Sequence, residues 1–331
     1  MEGVVEMRSR AFWKNRNVLI TGFEGFLGSN LTKMLLSYNA NIVGIDIKTN
    51  RKHTILTKDD YKKIDVIQGD ISNYRLIDNI FKKHEIHTVF HLAAEAIVGE
   101  CNQNPLKAFA SNIQGSWNVL EASRNNRTIK AIVCASSDKA YGSHEKLPYT
   151  EEASLIGNHP YDVSKSCADL IAYTYYHTYK LPVAVTRCGN IYGPGDFNFS
   201  RIVPDAMRCA ASGETLLLRS DGKFTRDYVY VDDVVNGYIM LAEQLQKKKL
   251  AGEAFNFSDE NPMAVLDLIR MIKKLSNKRL NYKILNKAKC EIKHQYLDSR
   301  KARKTLGWKP NVSLENGMKT AISWYCNYFT K

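Results

Sequence analysis

Tyr161 and Lys165 stand four residues apart in Tyr161-Asp162-Val163-Ser164-Lys165. On a helix that spacing puts both side chains on one face. A free phenol ionises only near pH ~10, and an ammonium beside it favours the phenolate. The pair therefore predicts a base that removes a hydroxyl proton while hydride leaves the same carbon. A second run, Ser136-Ser137-Asp138-Lys139-Ala140-Tyr141-Gly142, sets a hydroxyl, a carboxylate and an amine side by side. These offer a hydrogen-bonder, an acid and a base. The competing reading is a polar loop that caps a helix.

Hydride needs an acceptor. Gly22, Gly25 and Gly28 follow the apolar run Asn17-Val18-Leu19-Ile20 and precede Leu31, Met34 and Leu35 at helical spacing. A glycine turn between a strand and a helix lets the backbone approach a pyrophosphate, which the helix N-terminus then holds. The spacing is GxxGxxG, one residue wider at the front than the common GxGxxG. Asp46 closes the next apolar run, 18 residues beyond Gly28. There a carboxylate accepts both ribose hydroxyls of an adenosine and repels a 2′-phosphate, which predicts NAD over NADP. Asp70, after a third apolar run, is placed either to touch adenine or to cap the helix at 74–83.

The elements that must position these groups follow from periodicity. Strands are expected at 17–20, 41–45, 64–67, 88–92, 129–135 and 183–187, with helices at 26–37, 74–83, 105–124 and 162–180 between them. Alternating strands and helices with β-branched strands imply an α/β fold, a Rossmann-type doubly wound parallel sheet. The Ser136 run then falls at the carboxyl end of a strand, where such sheets bind ligands. Beyond it come Gly193-Pro194-Gly195, a helix near 203–212, a strand at 215–218 and helices near 232–246 and 263–275. These suggest a smaller C-terminal α/β substrate domain. The expected division is 12–188 for the dinucleotide domain and 189–331 mainly for substrate, with 229–258 returning to the first.

Bulk properties exclude several classes. A chain of 331 residues with 44% hydrophobic and 24% charged residues has the material for a large core. No apolar run reaches the ~20 residues of a membrane-spanning helix. Residues 1–16 lack the apolar stretch of a secretory signal, and the first ten read as a tail outside the fold. Seven scattered cysteines (Cys101, Cys134, Cys167, Cys188, Cys209, Cys290 and Cys326) form no CxxC pair, so reduced thiols and a cytoplasmic location are expected. The net charge of +13 reads as a lysine-rich surface, as at Lys247-Lys248-Lys249. It brings no nucleic-acid motif with it. His84 and His87 lack further ligands at metal spacing, so no metal is expected.

Thr21-Gly22-x-x-Gly25-Phe26-Leu27-Gly28, His91-Leu92-Ala93-Ala94, Ser136-Ser137 and Tyr161-x-x-x-Lys165 together resemble the extended short-chain dehydrogenase/reductase family, from about Phe12 to Pro310. The resemblance implies NAD held by Gly22, Gly25, Phe26, Leu27, Gly28, Asp46, Asp70, Ile71, Leu92, Ala93, Ala94 and Asn112, together with Tyr161 and Lys165. It implies a catalytic triad of Ser137, Tyr161 and Lys165, and a nucleotide-diphosphate sugar as substrate. Glu95, Asn190, Arg201, Arg226 and Arg300 would bind that substrate; for Arg226 the alternative is an ion pair with Asp227 or Asp232. The helices at 105–124 and 162–180 would form a homodimer's four-helix bundle.

Within that family Asp138-Lys139 resembles the CDP-glucose 4,6-dehydratases. Phe12-Trp13-Lys14, Arg187-Cys188-Gly189-Asn190 and the stretch from Leu297 to Trp308 look alike too. Glu95, where glutamine is common, and Gly193-Pro194-Gly195-Asp196, closer to epimerases, depart from that branch. The resemblance implies that Tyr161 takes the C4 hydroxyl proton, Lys139 takes the C5 proton while neutral, and Asp138 protonates the leaving C6 hydroxyl, with NAD regenerated. A nucleotide-sugar 4-epimerase, with Asp138 and Lys139 as bystanders, and a non-catalytic dinucleotide-binding protein are the alternatives.

Overall fold

The computed structural model describes residues 2–288 and 291–330. Seven strands form one parallel sheet: β1 (Asn17–Thr21), β2 (Asn41–Asp46), β3 (Ile64–Gln68), β4 (Thr88–His91), β5 (Ala131–Ala135), β6 (Val183–Cys188) and β7 (Ala254–Phe257). Their order across the sheet is β7-β6-β5-β4-β1-β2-β3. The register pairs Thr21 with Ile45 on one side and with His91 on the other. The order reverses between β1 and β4, so a crevice opens there beyond the strands' carboxyl ends.

Side-chain alternation splits the sheet's apolar residues between two faces. Val18 and Ile20 join one core, with Leu31 and Leu35 of α1 (Phe26–Ser37). Leu19 joins the other, with Ile77, Ile80 and Phe81 of α2 (Tyr74–Lys83) and Val119 and Leu120 of α3 (Gly115–Arg124). The same second core takes Ala172 of α4 (Pro160–Tyr179), while Val234, Tyr238 and Leu241 of α5 (Val231–Gln244) join the first. A third core gathers Val203, Met207, Leu268, Ile272, Met318 and Tyr325 from helices Ile202–Ser212, Val265–Ser276 and Leu314–Phe329.

Two local expectations need correction. Residues 2–13 form a helix rather than a tail. Trp13 is fully buried, its ring packed near Phe90 of β4, and its indole N–H donates to Glu243 at the end of α5 at 2.6 Å, which gives the buried ring its polar partner. The helix at 105–124 carries a π-turn at Ala110–Gln114, between Pro105–Phe109 and α3. Such a turn re-aims side chains, and here it turns Asn112 inward. Cys290 lies outside the described residues; the other cysteines are free thiols. Among the described residues no helix is long and apolar enough to cross a membrane.

One buried ion pair ties α4 to the sheet. Arg187 of β6 donates from Nε and Nη2 to the two carboxylate oxygens of Asp169, at 2.8 and 2.9 Å, and from Nη1 to the Tyr141 phenol at 2.9 Å. Removing one member strands the other's charge out of water. Asp169→Ala should therefore cost about 3–5 kcal/mol. The double variant Asp169→Leu/Arg187→Met should recover most of that in thermal melts, and a double variant no more stable than the single would contradict this account.

Candidate active site

The crevice is a cleft of about 1720 Å³. That exceeds the ~300–1,000 Å³ of a site for one small molecule and gives room for a dinucleotide and a nucleotide sugar together. Its floor at one end is the turn between β1 and α1. Gly22 has φ +72°, and a Cβ there would stand 2.9 Å from the Ala93 backbone; a Cβ on Gly28 would stand 2.0 Å from the Gly22 carbonyl oxygen. Glycine at both positions lets α1 begin against β1 and β4. Gly25 caps α1 without a side-chain bond, so the helix's first N–H groups are left for a ligand. Gly22, Gly25, Phe26, Leu27 and Gly28 all line the cleft. This cradle of amides suits a pyrophosphate, and it fits NAD.

Thr21 locks the next wall. Its hydroxyl accepts from the Leu92 and Ala93 amides, both at 3.1 Å, and pairs with His91 Nδ1 at 2.8 Å. Burial pushes the His91 imidazole down to about 3, so it is neutral and structural. Leu92, Ala93, Ala94 and Glu95 line the cleft, as do Asp46, Asp70 and Ile71 at the far end. Asn73, whose side chain accepts from the Leu76 amide, caps α2. That leaves Asp70 facing the cleft, with one oxygen held by the Ser72 amide.

The residues expected to carry the chemistry meet where β5 ends and α4 begins. Ser137, Asp138, Lys139, Tyr161 and Lys165 all line it. Ser137 caps a short 3-10 turn over Asp138–Tyr141, accepting from the Lys139 amide at 3.2 Å and donating to Asp138 at 3.1 Å. It also acts on the Tyr161 phenol, favouring the phenolate. The capping reading therefore holds for this hydroxyl, which also stands on the cleft wall that carries Tyr161. Burial raises the Asp138 carboxyl above its ordinary range, against the pull of Lys139 and Arg226. Lys139 reaches Gln295 at 3.4 Å.

The expected phenolate–ammonium pair is not formed in this state. Lys165 Nζ lies 6.0 Å from the Tyr161 ring centroid and donates to the Ala135 carbonyl at 2.8 Å. Burial pushes the phenol up to about 12, against the pull of Ser137 and Arg201, and pushes the lysine down to about 8. Desolvation outweighs the attraction expected between them, because both charged forms lose water together.

Two other placements are corrections. Asn112 does not line the cleft: its amide bonds the Glu95 backbone on both sides, at 2.7 and 3.0 Å, and Ser164 at 2.9 Å, so both of its N–H donors are spent within the protein. It braces Glu95 instead. Arg300 also lies outside the cleft wall, largely exposed and in an ion pair with Asp298, its near neighbour in sequence. Asn190, Arg201 and Arg226 do line it. Arg226 pairs with neither Asp227 nor Asp232; its guanidinium donates to the carbonyls of Thr225, Lys293 and Ile292. Arg201 pairs with Asp196 at 3.1 Å, and Glu95 is held by Lys107 at 2.7 Å.

Sequence reasoning missed several groups. Asp227 is buried behind the site, where it accepts from Ser258 and from the Leu297 amide, and burial with Asp138 nearby pushes it up to about 7. Its signal was only its place beside Arg226. Gln295 comes from a segment with no pattern. Glu24 and Arg51 stand at the Asp46 end, and the basic run from Lys48 to His53 was the available clue.

Residues 19–321 match the family model described as GDP-mannose 4,6 dehydratase. The chain is 30% identical over 320 residues to UDP-glucuronate 4-epimerase of Thermodesulfobacterium geofontis, covering 92% of this chain and 95% of that one. Among solved structures it is similar to UDP-glucose 4-epimerase of Thermotoga maritima with UDP-glucose (28% identity, TM-score 0.85, 94% and 99% coverage of this chain and that one). It is likewise similar to dTDP-glucose 4,6-dehydratase of Bacillus anthracis in complex with NAD (28%, TM-score 0.83, 94% and 96%). The chain belongs to the GDP-mannose 4,6 dehydratase family of extended short-chain dehydrogenase/reductases, the NAD-dependent nucleotide-sugar epimerases and dehydratases.

Proposed function

We propose that this chain oxidises C4 of a nucleotide-diphosphate hexose and then eliminates water across C5 and C6, as a nucleotide-sugar 4,6-dehydratase. The observation that carries the reading is Asp138, a buried carboxyl raised toward its protonated form, next to Lys139 on the wall that also holds Tyr161. A protonated acid and an amine side by side are what an elimination needs. NAD, when bound, supplies the hydride acceptor at C4, the hydride that returns to C6, and a positive ring beside the phenol. Tyr161 takes the C4 hydroxyl proton, with Ser137 orienting the hydroxyl and Lys165 fixing the tyrosine's surroundings. The ketone at C4 acidifies C5–H, which Lys139 removes; Asp138 gives its proton to the C6 hydroxyl, which leaves as water. As the hydride returns to C6, Lys139 gives its proton back to C5, and the proton held by Tyr161 restores Asp138. Arg226 and Asn190 serve the diphosphate.

A second reading, 4-epimerisation, draws support from the UDP-glucuronate 4-epimerase relative and from Arg201, a cleft-lining cation whose charge favours the Tyr161 phenolate and which suits an acidic sugar. A homodimer is part of the same reading. Leu106 and Trp117, on the segments either side of the π-turn, and Leu170 and Tyr173 on α4 are exposed apolar side chains that a second copy would cover.

Incubation with a panel of NDP-hexoses, followed by mass spectrometry, tests the main reading. One substrate should lose one water, whereas unchanged mass with altered stereochemistry would give the epimerase. Lys139→Ala should still oxidise C4, seen as bound reduced cofactor, yet release no dehydrated product; full turnover would remove Lys139 from the mechanism.

Lys165→Met should slow C4 oxidation by ~10²–10⁴-fold while melting at or above the wild-type temperature at pH 7. The amine's pKa falls from 10.5 unfolded to about 8 folded. The wild type therefore gains stability as pH rises through that window, and the variant's advantage should fade toward its upper end. A variant destabilised equally at all pH values would contradict the burial argument. Leu170→Glu should convert a dimer to monomers in light scattering, with no change expected if α4 faces solvent in solution.

A further inference from the structure

At the adenosine end of the cleft the expected lone carboxylate is already paired. Asp46 Oδ2 accepts from the Glu24 amide at 3.3 Å, and Oδ1 meets the Arg51 guanidinium. The pairing is held from below. Glu24 is buried in the glycine turn, and its two carboxylate oxygens accept from the Asn50 amide at 2.7 Å and the Arg51 amide at 2.8 Å. This pins the turn that carries Arg51 against the end of β2. Arg51 Nε also donates to the Lys48 carbonyl at 3.3 Å, and Lys48, Arg51 and Lys52 all line the same end of the cleft. A ribose diol is read by a carboxylate, whereas a 2′-phosphate is read by cations, best of all by a guanidinium. Both recognition groups are present here, joined by one ion pair.

We propose that Arg51 is a second cofactor-specificity residue: it masks Asp46 and offers its guanidinium to a 2′-phosphate, so that the chain takes NADP as well as NAD, with Asp46 setting the preference for NAD. This rests on the reading that the cleft holds NAD. When the diol binds Asp46, Arg51 swings off the carboxylate toward solvent, since the guanidinium is already about a third exposed at 37%. When a 2′-phosphate binds, Arg51 stays over the ribose and bonds the phosphate. Lys48 and Lys52 add charge at the same place.

The test measures retained dinucleotide, independent of turnover. Purified wild type, Asp46→Asn, Arg51→Gln and the double variant are each incubated with equimolar NAD and NADP and washed, and the bound dinucleotides are released and quantified. Wild type should hold mostly NAD with a measurable share of NADP. Asp46→Asn should raise the NADP:NAD ratio at least about tenfold, which is ~1.4 kcal/mol of discrimination. The double variant should lose that gain by a similar factor. Arg51→Gln alone should lower the NADP share and hold at least as much NAD as wild type, since it unmasks Asp46. Equal ratios in Asp46→Asn and the double variant would overturn the proposal. So would an equal loss of both dinucleotides in Arg51→Gln, which would make the guanidinium a support for the adenine. If wild type retains neither dinucleotide, the cofactor reading itself falls, and this proposal with it.

Discussion

Desolvation of two ionisable side chains, Tyr161 and Lys165, governs this site. Each is drawn away from its charged form, the phenol up to about 12 and the amine down to about 8. Neither repairs the other, because the lysine spends a hydrogen bond on the Ala135 carbonyl and stands 6.0 Å from the ring. A charge that burial opposes must be supplied by whatever enters the cleft. On the reading proposed above, Tyr161 would act as a base only when a positively charged ring and a sugar hydroxyl are both in place.

The fold delivers this arrangement through close backbone approaches more than through side-chain contacts. Gly22 and Gly28 let α1 start against β1 and β4, so that its free amides point into the cleft. The 3-10 turn after β5 puts Ser137 and Asp138 opposite the first turn of α4. The ion pair of Arg187 with Asp169 then holds α4 to β6 from behind. Each device is local in sequence on one side and distant on the other, which is why the cleft is shared among many segments.

What could be read from the sequence alone was the part with periodicity or fixed spacing. The sheet, its helices and the glycine turn followed from apolar alternation and from glycine chemistry, and the cleft gathers the Ser137 run with Tyr161 and Lys165. The terminal helix at 2–13 escaped because its anchor, Trp13, finds its partner Glu243 far along the chain. Asn112 and Arg300 were placed by resemblance; the contacts of Asn112 are decided by Glu95 and Ser164, which no spacing encodes, whereas Arg300 turns to Asp298 two residues away. Asp227, Gln295 and the Glu24–Arg51 brace arise only when separate loops meet, so their roles are tertiary facts.

The most direct test of this account is the ionisation of one phenol. In protein labelled with carbon-13 at the tyrosine ring carbon that bears the hydroxyl, the Tyr161 resonance is identified by its loss in Tyr161→Phe and titrated with and without NAD. The account predicts a neutral phenol across the neutral range without NAD, and a large fall in its pKa once NAD is bound. A phenol already ionised at neutral pH without NAD, or one whose titration NAD leaves unmoved, would contradict it.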